Sequence, residues 1–547
     1  MKIVLVGVDD GLLCIGHRRV SSAVKEHFDD VTSYIYNVSG NLKAYFSNHL
    51  FKMQDLDKFQ VHPDFVSQIA DADVVGFSCM SKYSHFVAQR IADIKKINPD
   101  CFCVWGGVHA ITDPEHAIQH ADAICTGEGE FAMVNLLKKF KSPDLYKTHQ
   151  FWFRKGDEII KNPFLPLLTS EEMEALPLPD LTPDLIYADA SSIHPLDAAT
   201  YLRVQGTSYT TVWTIGCPFK CTYCGNSKFL ANDVKYAKIR HTSPARFIRE
   251  LKYAMEMMPF LTHIGFGDDN FFYAKPQAIF ELADMYAKEI GQPFFLPGIF
   301  PGSIRDERQL DALIDAGLRH ARMGIQSGSE KLLKFYKRPT KLETVENSAS
   351  MLIKRHPRIA PPYFDIIIDN PIEDEEDIQA TVGLLRRLPR PYTLFVYSLR
   401  IIANTDMATF AQENPDIKFH SIEDSYQRVI DTRYALLVYT ASLVRLPDPL
   451  HKVLEVMAKV PYLNKALLLI VRLLCMTRRF FGEVSGQNLL PLNIFHPQFS
   501  YFLYKLGYMG FLRRRSLART RRAALSAPFI QRIKDAGIEL IPAKPAE

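Results

Sequence analysis

Three cysteines stand in the run Gly216-Cys217-Pro218-Phe219-Lys220-Cys221-Thr222-Tyr223-Cys224. A C-x3-C-x2-C loop can hold three irons of a [4Fe–4S] cube, one per thiolate, whereas an ordinary electron-transfer cluster takes four cysteines. The fourth iron is then open to a ligand from outside the chain. Two other chemistries use closely spaced cysteines. Structural zinc wants four closed ligands, and no further CxxC or HxxxH pair lies near the loop in the sequence. A disulfide needs an oxidising compartment, while nine cysteines in 547 residues, with no dense framework, suit a reducing one. Cys217, Cys221 and Cys224 are therefore the expected catalytic and metal-ligating residues.

Other polar or glycine-rich steps follow short apolar runs. Gly106-Gly107-Val108-His109 follows Phe102–Trp105, and Gly127-Glu128-Gly129-Glu130 follows Ala123–Thr126. Asp268-Asp269-Asn270 follows His263–Gly267, Gln326-Ser327-Gly328 follows Arg322–Ile325, and Asp369-Asn370-Pro371 follows Tyr363–Ile368. Adjacent glycines let the backbone approach a flat ligand closely. Two adjacent aspartates suit either a general acid/base pair or a solvated strand end. The first strand lacks GxGxxG after it, which argues against a dinucleotide.

These steps need a scaffold that gathers strand ends. Residues 1–145 alternate apolar strands (Ile3–Val6, Val74–Ser78, Phe102–Trp105, Ala123–Thr126) with helical stretches such as Ser84–Ile97, a doubly wound, Rossmann-like α/β domain. Residues 146–200 are rich in proline and read as a linker with one hairpin, Gln150–Ile160. From 201 to 410 strand-then-helix units return, with helices such as Pro244–Met257 and Arg308–Ala316. They predict a full or partial TIM-type barrel with its chemistry in the loops after the strands. Residues 411–547 read as a mostly helical, basic region. The hydrophobic fraction of 47% excludes general disorder, and a net charge of +4 is too small to argue nucleic-acid binding by the whole chain. Cys14, Cys79, Cys101, Cys103, Cys125 and Cys475 lie on apolar runs and read as core.

The cysteine loop resembles the signature of the radical S-adenosylmethionine (SAM) superfamily, in which SAM chelates the open iron and an electron from the cluster cleaves it to a 5′-deoxyadenosyl radical. The ordered trio Val104-Trp105-Gly106-Gly107-Val108-His109-Ala110, Asp113-Pro114-Glu115 and Gly127-Glu128-Gly129-Glu130 resembles the cobalamin-binding domain of many such enzymes. A Rossmann-like domain with a nucleotide or no ligand is the alternative. The resemblance implies cobalamin at Gly106, Gly107, His109, Gly127 and Glu128, with His109 on the pocket wall. It implies SAM near Tyr223, Gly267, Asp268, Asp269, Gln326 and Ser327, and the adenine near the strand ending at Asp369. The sequence departs from the pattern at Gln326, where glutamate is usual, and at Thr214-Ile215-Gly216, where arginine often precedes the glycine. The Asp-x-His-x-x-Gly motif is also missing, so cobalt is expected without a histidine below it.

The resemblance implies a cobalamin-dependent radical SAM enzyme, a methyltransferase acting on an unactivated carbon. Radical rearrangement or cyclisation without methyl transfer is the alternative, and a cobalamin- or redox-responsive binding protein with a structural cluster is the reading from another class. An electron donor such as flavodoxin or ferredoxin and a small-molecule or lipid substrate are the expected partners. The apolar N-terminal run lacks the features of a signal peptide, and no run of about twenty uncharged apolar residues occurs, so a cytoplasmic protein is expected. From Lys452 to Arg522 thirteen Lys/Arg face only Glu455 and Glu483, densest at Arg513-Arg514-Arg515, Arg519, Arg521 and Arg522. That stretch is a solvated cap, a peripheral surface for the inner face of the membrane, or a nucleic-acid contact.

Overall fold

The computed structural model describes residues 1–38, 61–338, 340–368, 370–421, 433–487 and 497–539. Nine strands form the first sheet: β1 Ile3–Asp9, β2 Val31–Asn37, β3 Val74–Cys79, β4 Phe102–Gly106, β5 Ala123–Cys125, β6 Phe151–Lys155, β7 Glu158–Lys161, β8 Ile186–Ala188 and β9 Ile193–Pro195. Their order is β7-β6-β5-β4-β3-β1-β2-β8-β9. The central five are parallel, with Gly7 opposite Ser78 and Ser78 opposite Gly106. Ile3 to Val8 are all buried, as a strand covered by helices on both faces requires. Helix Ser84–Ile97 covers one face through Phe86, Val87, Ile91 and Ile94.

The proline-rich stretch 146–200 is more than a linker. Hairpin β6–β7 extends the first sheet antiparallel to β5, and hairpin β8–β9 extends it beyond β2. Proline cannot donate to a ladder; Pro163, Pro166, Pro177 and Pro179 fall in the connections and Pro195 ends an edge strand. Proline density here marks the sheet's edges.

The second unit begins with β10 Ser208–Thr211. A small antiparallel pair follows, β11 Thr214–Ile215 with β12 Arg240–His241. Then come β13 His263–Phe266, β14 Phe294–Ile299, β15 Leu318–Gln326, β16 Tyr363–Ile368 and β17 Thr393–Ser398. Apart from β11 and β12 these are parallel, in the order β10-β13-β14-β15-β16-β17. Six strands make a partial TIM-type barrel. Ser243 caps helix Pro244–Met257 by accepting from Arg246 N, with proline at the first helical position. Strands β2 and β14 have weak signatures: β2 is polar in its first half, and β14 carries Pro297 and Gly298.

The C-terminal region is helical, and part of it returns to the barrel. In helix Tyr508–Ala524, Arg513 donates to Pro259 O (2.9 Å), Ser516 to Gly291 O (2.7 Å) and Arg521 to Lys288 O (2.8 Å). Two of the acceptors belong to the end of helix Pro276–Glu289 and the turn after it, where cations and donors are favoured. Arg514, Arg515 and Arg522 remain exposed. The densest basic cluster is thus divided between docking and surface.

Candidate functional site

The cysteine loop leaves β11 through Gly216, whose φ is +124°. A side chain there would put its Cβ 2.8 Å from the carbonyl oxygens of Tyr236 and Lys238, so only glycine passes. Backbone bonds tie the loop to three distant stretches: Cys217 N to Tyr236 O (3.0 Å), Thr222 N to Tyr336 O (3.2 Å) and Met407 N to Thr222 O (3.0 Å). Cys217 and Cys221 are buried and Cys224 is half-buried. Burial pushes the Cys217 thiol up to about 11 and Cys224 to about 12, and raises Cys221 as well. The metal-free thiols are therefore neutral, and metal binding must displace their protons.

The donor set fits an iron–sulfur cube better than one ion. A zinc ion with sulfur bonds of about 2.3 Å draws its thiolates to within about 4 Å of each other. The three thiols are not gathered within 4.8 Å of one another. A second observation concerns charge. Arg338 is buried, with its guanidinium 3.9 Å from Cys221 Sγ, 3.3 Å from Tyr223 Oη and 2.6 Å from Gly324 O, over the Phe300 ring at 4.4 Å. It has no carboxylate partner among the described residues, so thiolates bound to metal would supply the missing negative charge. Asn270 is the other direct neighbour, donating to Cys217 Sγ at 3.0 Å.

The expected SAM-side residues divide by what their side chains touch. Asp268 accepts from Thr214 N and Thr214 Oγ1 (2.6 Å each) and from Trp213 N (3.3 Å). It therefore positions the entry to the cysteine loop. Burial raises its carboxyl to about 6 against the pull of those donors. Asp269 accepts from Asn226 Nδ2 at 2.9 Å, beyond Cys224. Ser327 is fully buried, its hydroxyl 3.2 Å from Thr381 Oγ1 and accepting from Ser329 N, which shapes the turn after β15. The Asp268 and Ser327 side chains, expected near SAM, also make these bonds within the fold. Gly267 closes its backbone on Thr211 O (2.7 Å). Gln326 has φ +75° at the end of β15 and stays half-buried. Tyr223 packs edge-on against Tyr336 and holds Arg338. Asp369 lies outside the described residues.

Across the domain boundary, a cavity of about 290 Å3 opens at the ends of the first sheet's strands. Gly76, Ser78, Gly106, Gly107 and Gly127 line it, as do Leu165, Leu167, Leu168, Met173 and Leu176 and the barrel-side residues Ile215, Phe229 and Tyr236. Gly107 has φ +83°, and a Cβ on it would lie 2.8 Å from Cys79 N and Ser78 Oγ; on Gly127 it would lie 1.9 Å from Gln150 Nε2. Backbone walls around an apolar slot fit the flat ring or the nucleotide tail of cobalamin. His17 also lines it, neutral because burial lowers it to about 4, with Nε2 held by Ser33 Oγ (3.0 Å).

Two expected cobalamin residues are used differently. His109 is turned from the cavity and buried against Trp105, ring centroids 5.0 Å apart, with Nε2 2.9 Å from His116 Nδ1. Its helix, Val108–Thr112, shows Val108 and Ile111 to the cavity instead. Glu128 borders the cavity, but its carboxylate takes both Arg240 nitrogens (2.6 and 3.2 Å) and Leu168 N (2.7 Å). Arg240 is on β12, so this is a clamp between the two units. Sequence reasoning missed Asn270, Arg338 and Arg240. Asn270 closed a run already singled out; the arginines had no local signal.

Residues 211–385 match the model of the radical SAM superfamily, and residues 40–137 match that of the B12 binding domain. The chain is 25% identical over 333 residues to an uncharacterized methyltransferase of Pyrococcus horikoshii, covering 59% of this chain and 66% of that one. It is 21% identical over 325 residues to an anaerobic magnesium-protoporphyrin IX monomethyl ester cyclase of Rubrivivax gelatinosus, covering 57% and 54%. The chain thus spans just under two thirds and about half of those relatives. Its fold is similar to that of the cobalamin-dependent SAM radical enzyme OxsB, solved with aqua-cobalamin and SAM bound, at TM-score 0.59 and 15% identity over 98% of this chain and 84% of that one.

Proposed function

Because the chain joins a B12-binding domain to a radical SAM domain, and so belongs with the cobalamin-binding radical SAM enzymes, we propose that it transfers a methyl group to an unactivated carbon of an apolar substrate. One observation carries this reading: a single apolar cavity is walled by the glycine loops of the first unit and by barrel-side residues beside the cysteine loop. When bound, the cluster with SAM supplies hydrogen abstraction from carbon, and cobalamin supplies a transferable methyl group. Cys217, Cys221 and Cys224 would hold the cluster, and Arg338 offsets its charge. Asp268, Asn270 and Gly216 fix the loop against the barrel. Gly106, Gly107 and Gly127 would hold cobalamin through backbone walls. Leu167, Phe229 and Tyr236, packed with Cys217 in one apolar cluster, exclude water from the side facing the cysteines.

The cyclase relative favours a second reading, rearrangement or cyclisation without methyl transfer. Anaerobic incubation of reconstituted protein with SAM, cobalamin, reductant and fractionated extract separates the two by mass spectrometry. Methyl transfer gives a product heavier by one methylene. A SAM-dependent product without that gain overturns it in favour of the second reading, and absence of 5′-deoxyadenosine overturns both.

The C-terminal helices support an anionic lipid surface as the place where the apolar substrate is met. Among the described residues, sixteen of the twenty-four exposed large apolar side chains lie between Val444 and Leu525, including Leu450, Val453, Val456, Ile470, Leu473 and Leu474. Apolar area of this extent marks an interaction surface, and its neighbours Lys452, Lys459, Lys465, Arg514 and Arg515 match anionic headgroups at about 1 kcal/mol each. No helix among the described residues is long and apolar enough to cross a membrane, so contact would be peripheral. Flotation should require anionic vesicles, weaken with salt, and fail for Leu473→Glu with Leu474→Glu. Equal recovery on neutral and anionic vesicles overturns this setting.

A further inference from the structure

His109, Asp113 and His116 each place a ligand atom within 4.8 Å of the others. They sit on two short helices, Val108–Thr112 and Pro114–Ala117, joined at Asp113. The nitrogens His109 Nε2 and His116 Nδ1 face each other at 2.9 Å, and Asp113 Oδ1 accepts the His116 backbone N–H at 3.3 Å. His109 is 3% exposed, and its other ring nitrogen has no hydrogen-bond partner. The His120 ring centroid is 4.9 Å from that of His116, and the His85 ring centroid 6.2 Å from it. His116 and His120 form an H-x3-H pair, a spacing used by zinc sites. We propose that this cluster binds one divalent zinc-class ion through His109, Asp113 and His116, at a site separate from the cysteines and from the cobalamin cavity.

The ligand chemistry suits the ion. Two imidazoles and one carboxylate are borderline donors of the kind zinc takes, and the carboxylate offsets half of the ion's charge. The nitrogens need to part by only a few tenths of an ångström to stand at the spacing of about 3.3 Å that two zinc–nitrogen bonds impose. His120 stacks beside His116 but is not among the residues whose ligand atoms gather there, so water completes the shell.

Location gives the ion something to do. Helices of five and four residues cannot hold themselves, yet the first carries Val108 and Ile111 on the cavity wall and meets the barrel unit through Thr112. Asn404 donates to Thr112 O at 2.9 Å, and Gly225, next after Cys224, lies against the Thr112 methyl. Zinc would pin both helices to each other where the first unit meets the cysteine loop.

The test uses the full chain with its iron–sulfur cluster reconstituted, so that Cys217, Cys221 and Cys224 are occupied, dialysed against zinc sulfate. One tightly held zinc per chain is expected, with X-ray absorption showing only nitrogen and oxygen ligands at about 2.0–2.1 Å. His116→Gln, at a half-buried position, should weaken zinc by at least the roughly 10–100-fold typical of a disturbed metal site. It should also remove the zinc-dependent rise in Tm while leaving the cluster's absorption unchanged. Sulfur ligands at about 2.3 Å, zinc retained undiminished by His116→Gln, or no zinc retained by the wild-type chain would each overturn the site. None of these results depends on turnover, so the proposed methyl transfer can fail while the metal site stands.

Discussion

The glycine loops wall the cavity and the cysteine loop packs behind the barrel-side residues that close it, and the two are built on opposite principles. In the cysteine loop the chemistry is in side chains, and distant residues hold it: Asp268 at the entry, Asn270 and Arg338 at the sulfurs, Tyr236 and Tyr336 at the backbone. In the glycine loops the bare backbone forms the wall, and the carboxylate of Glu128 is spent on joining the two units. A motif that acts through side chains can be read from spacing. One that acts through bare backbone can be read only once its neighbours are known.

The largest effect should separate the two regions cleanly. Cys221→Ala removes one iron ligand, and we expect loss of SAM cleavage and of a stable cluster. Cobalamin binding should persist, because the cavity is walled by other residues. Iron analysis, 5′-deoxyadenosine formation and cobalamin absorption on the same preparation check this. Loss of cobalamin together with the cluster would show that the regions fold as one site.

The clamp comes next. Arg240 is buried and Glu128 about one fifth exposed, with side-chain accessibilities of 9% and 22%. Removing one partner of such a pair leaves an uncompensated charge, costing about 3–5 kcal/mol when fully buried and about 2–4 kcal/mol with this solvent access. Arg240→Ala should lower the unfolding midpoint and weaken cobalamin together. Unaltered cobalamin affinity would show that the slot does not depend on the domain junction.

Asp268 gives a pH signature on the cysteine side. Its carboxyl is raised from 3.8 to about 6 in the folded chain, so folding favours its protonated form. That contribution is fully present below about 3.8 and lost as pH rises through about 6, with an upper bound near 3 kcal/mol. The stability of the cluster-free wild type relative to Asp268→Asn should therefore fall between pH about 4 and about 6. A difference that grows with pH would mean that the Thr214 and Trp213 donors outweigh burial.

These cases explain what could be read in advance. Strands β1, β3, β4 and β16 were legible because buried parallel strands carry apolar runs, broken in β16 by Asp365, and helix Ser84–Ile97 because its apolar residues recur at helical spacing. The cysteines were legible because three thiols at that spacing have few uses. Sequence proximity misled at His109 and Glu128: adjacency to a glycine step does not fix where a side chain points, and both turn to partners elsewhere. Arg338 and Arg240 left no trace because each is defined by a partner more than 100 positions away. The pair His116-x3-His120 was visible in the sequence, but its third neighbour, His109, becomes a partner only when the two short helices fold together.

Gly106 and Gly107 give the finest test of the backbone-wall idea, because they are adjacent and differ. At Gly107 an added Cβ meets Cys79 N and Ser78 Oγ at 2.8 Å in a conformation with φ +83°. Gly107→Ala should therefore cost about 1–3 kcal/mol of stability from strain alone. At Gly106 the same Cβ meets Cys125 Cβ and Phe77 O at 3.7 Å, ordinary contact distances. Gly106→Ala should leave the unfolding midpoint nearly unchanged. Both glycines line the cavity, so both variants should weaken cobalamin if the ligand lies against bare backbone. Titration of cobalamin into each variant, beside thermal unfolding, separates wall from strain. Full cobalamin affinity in Gly106→Ala would place the ligand's closest approach elsewhere, at Gly127 or Gly76, and leave Gly107 as a folding requirement only.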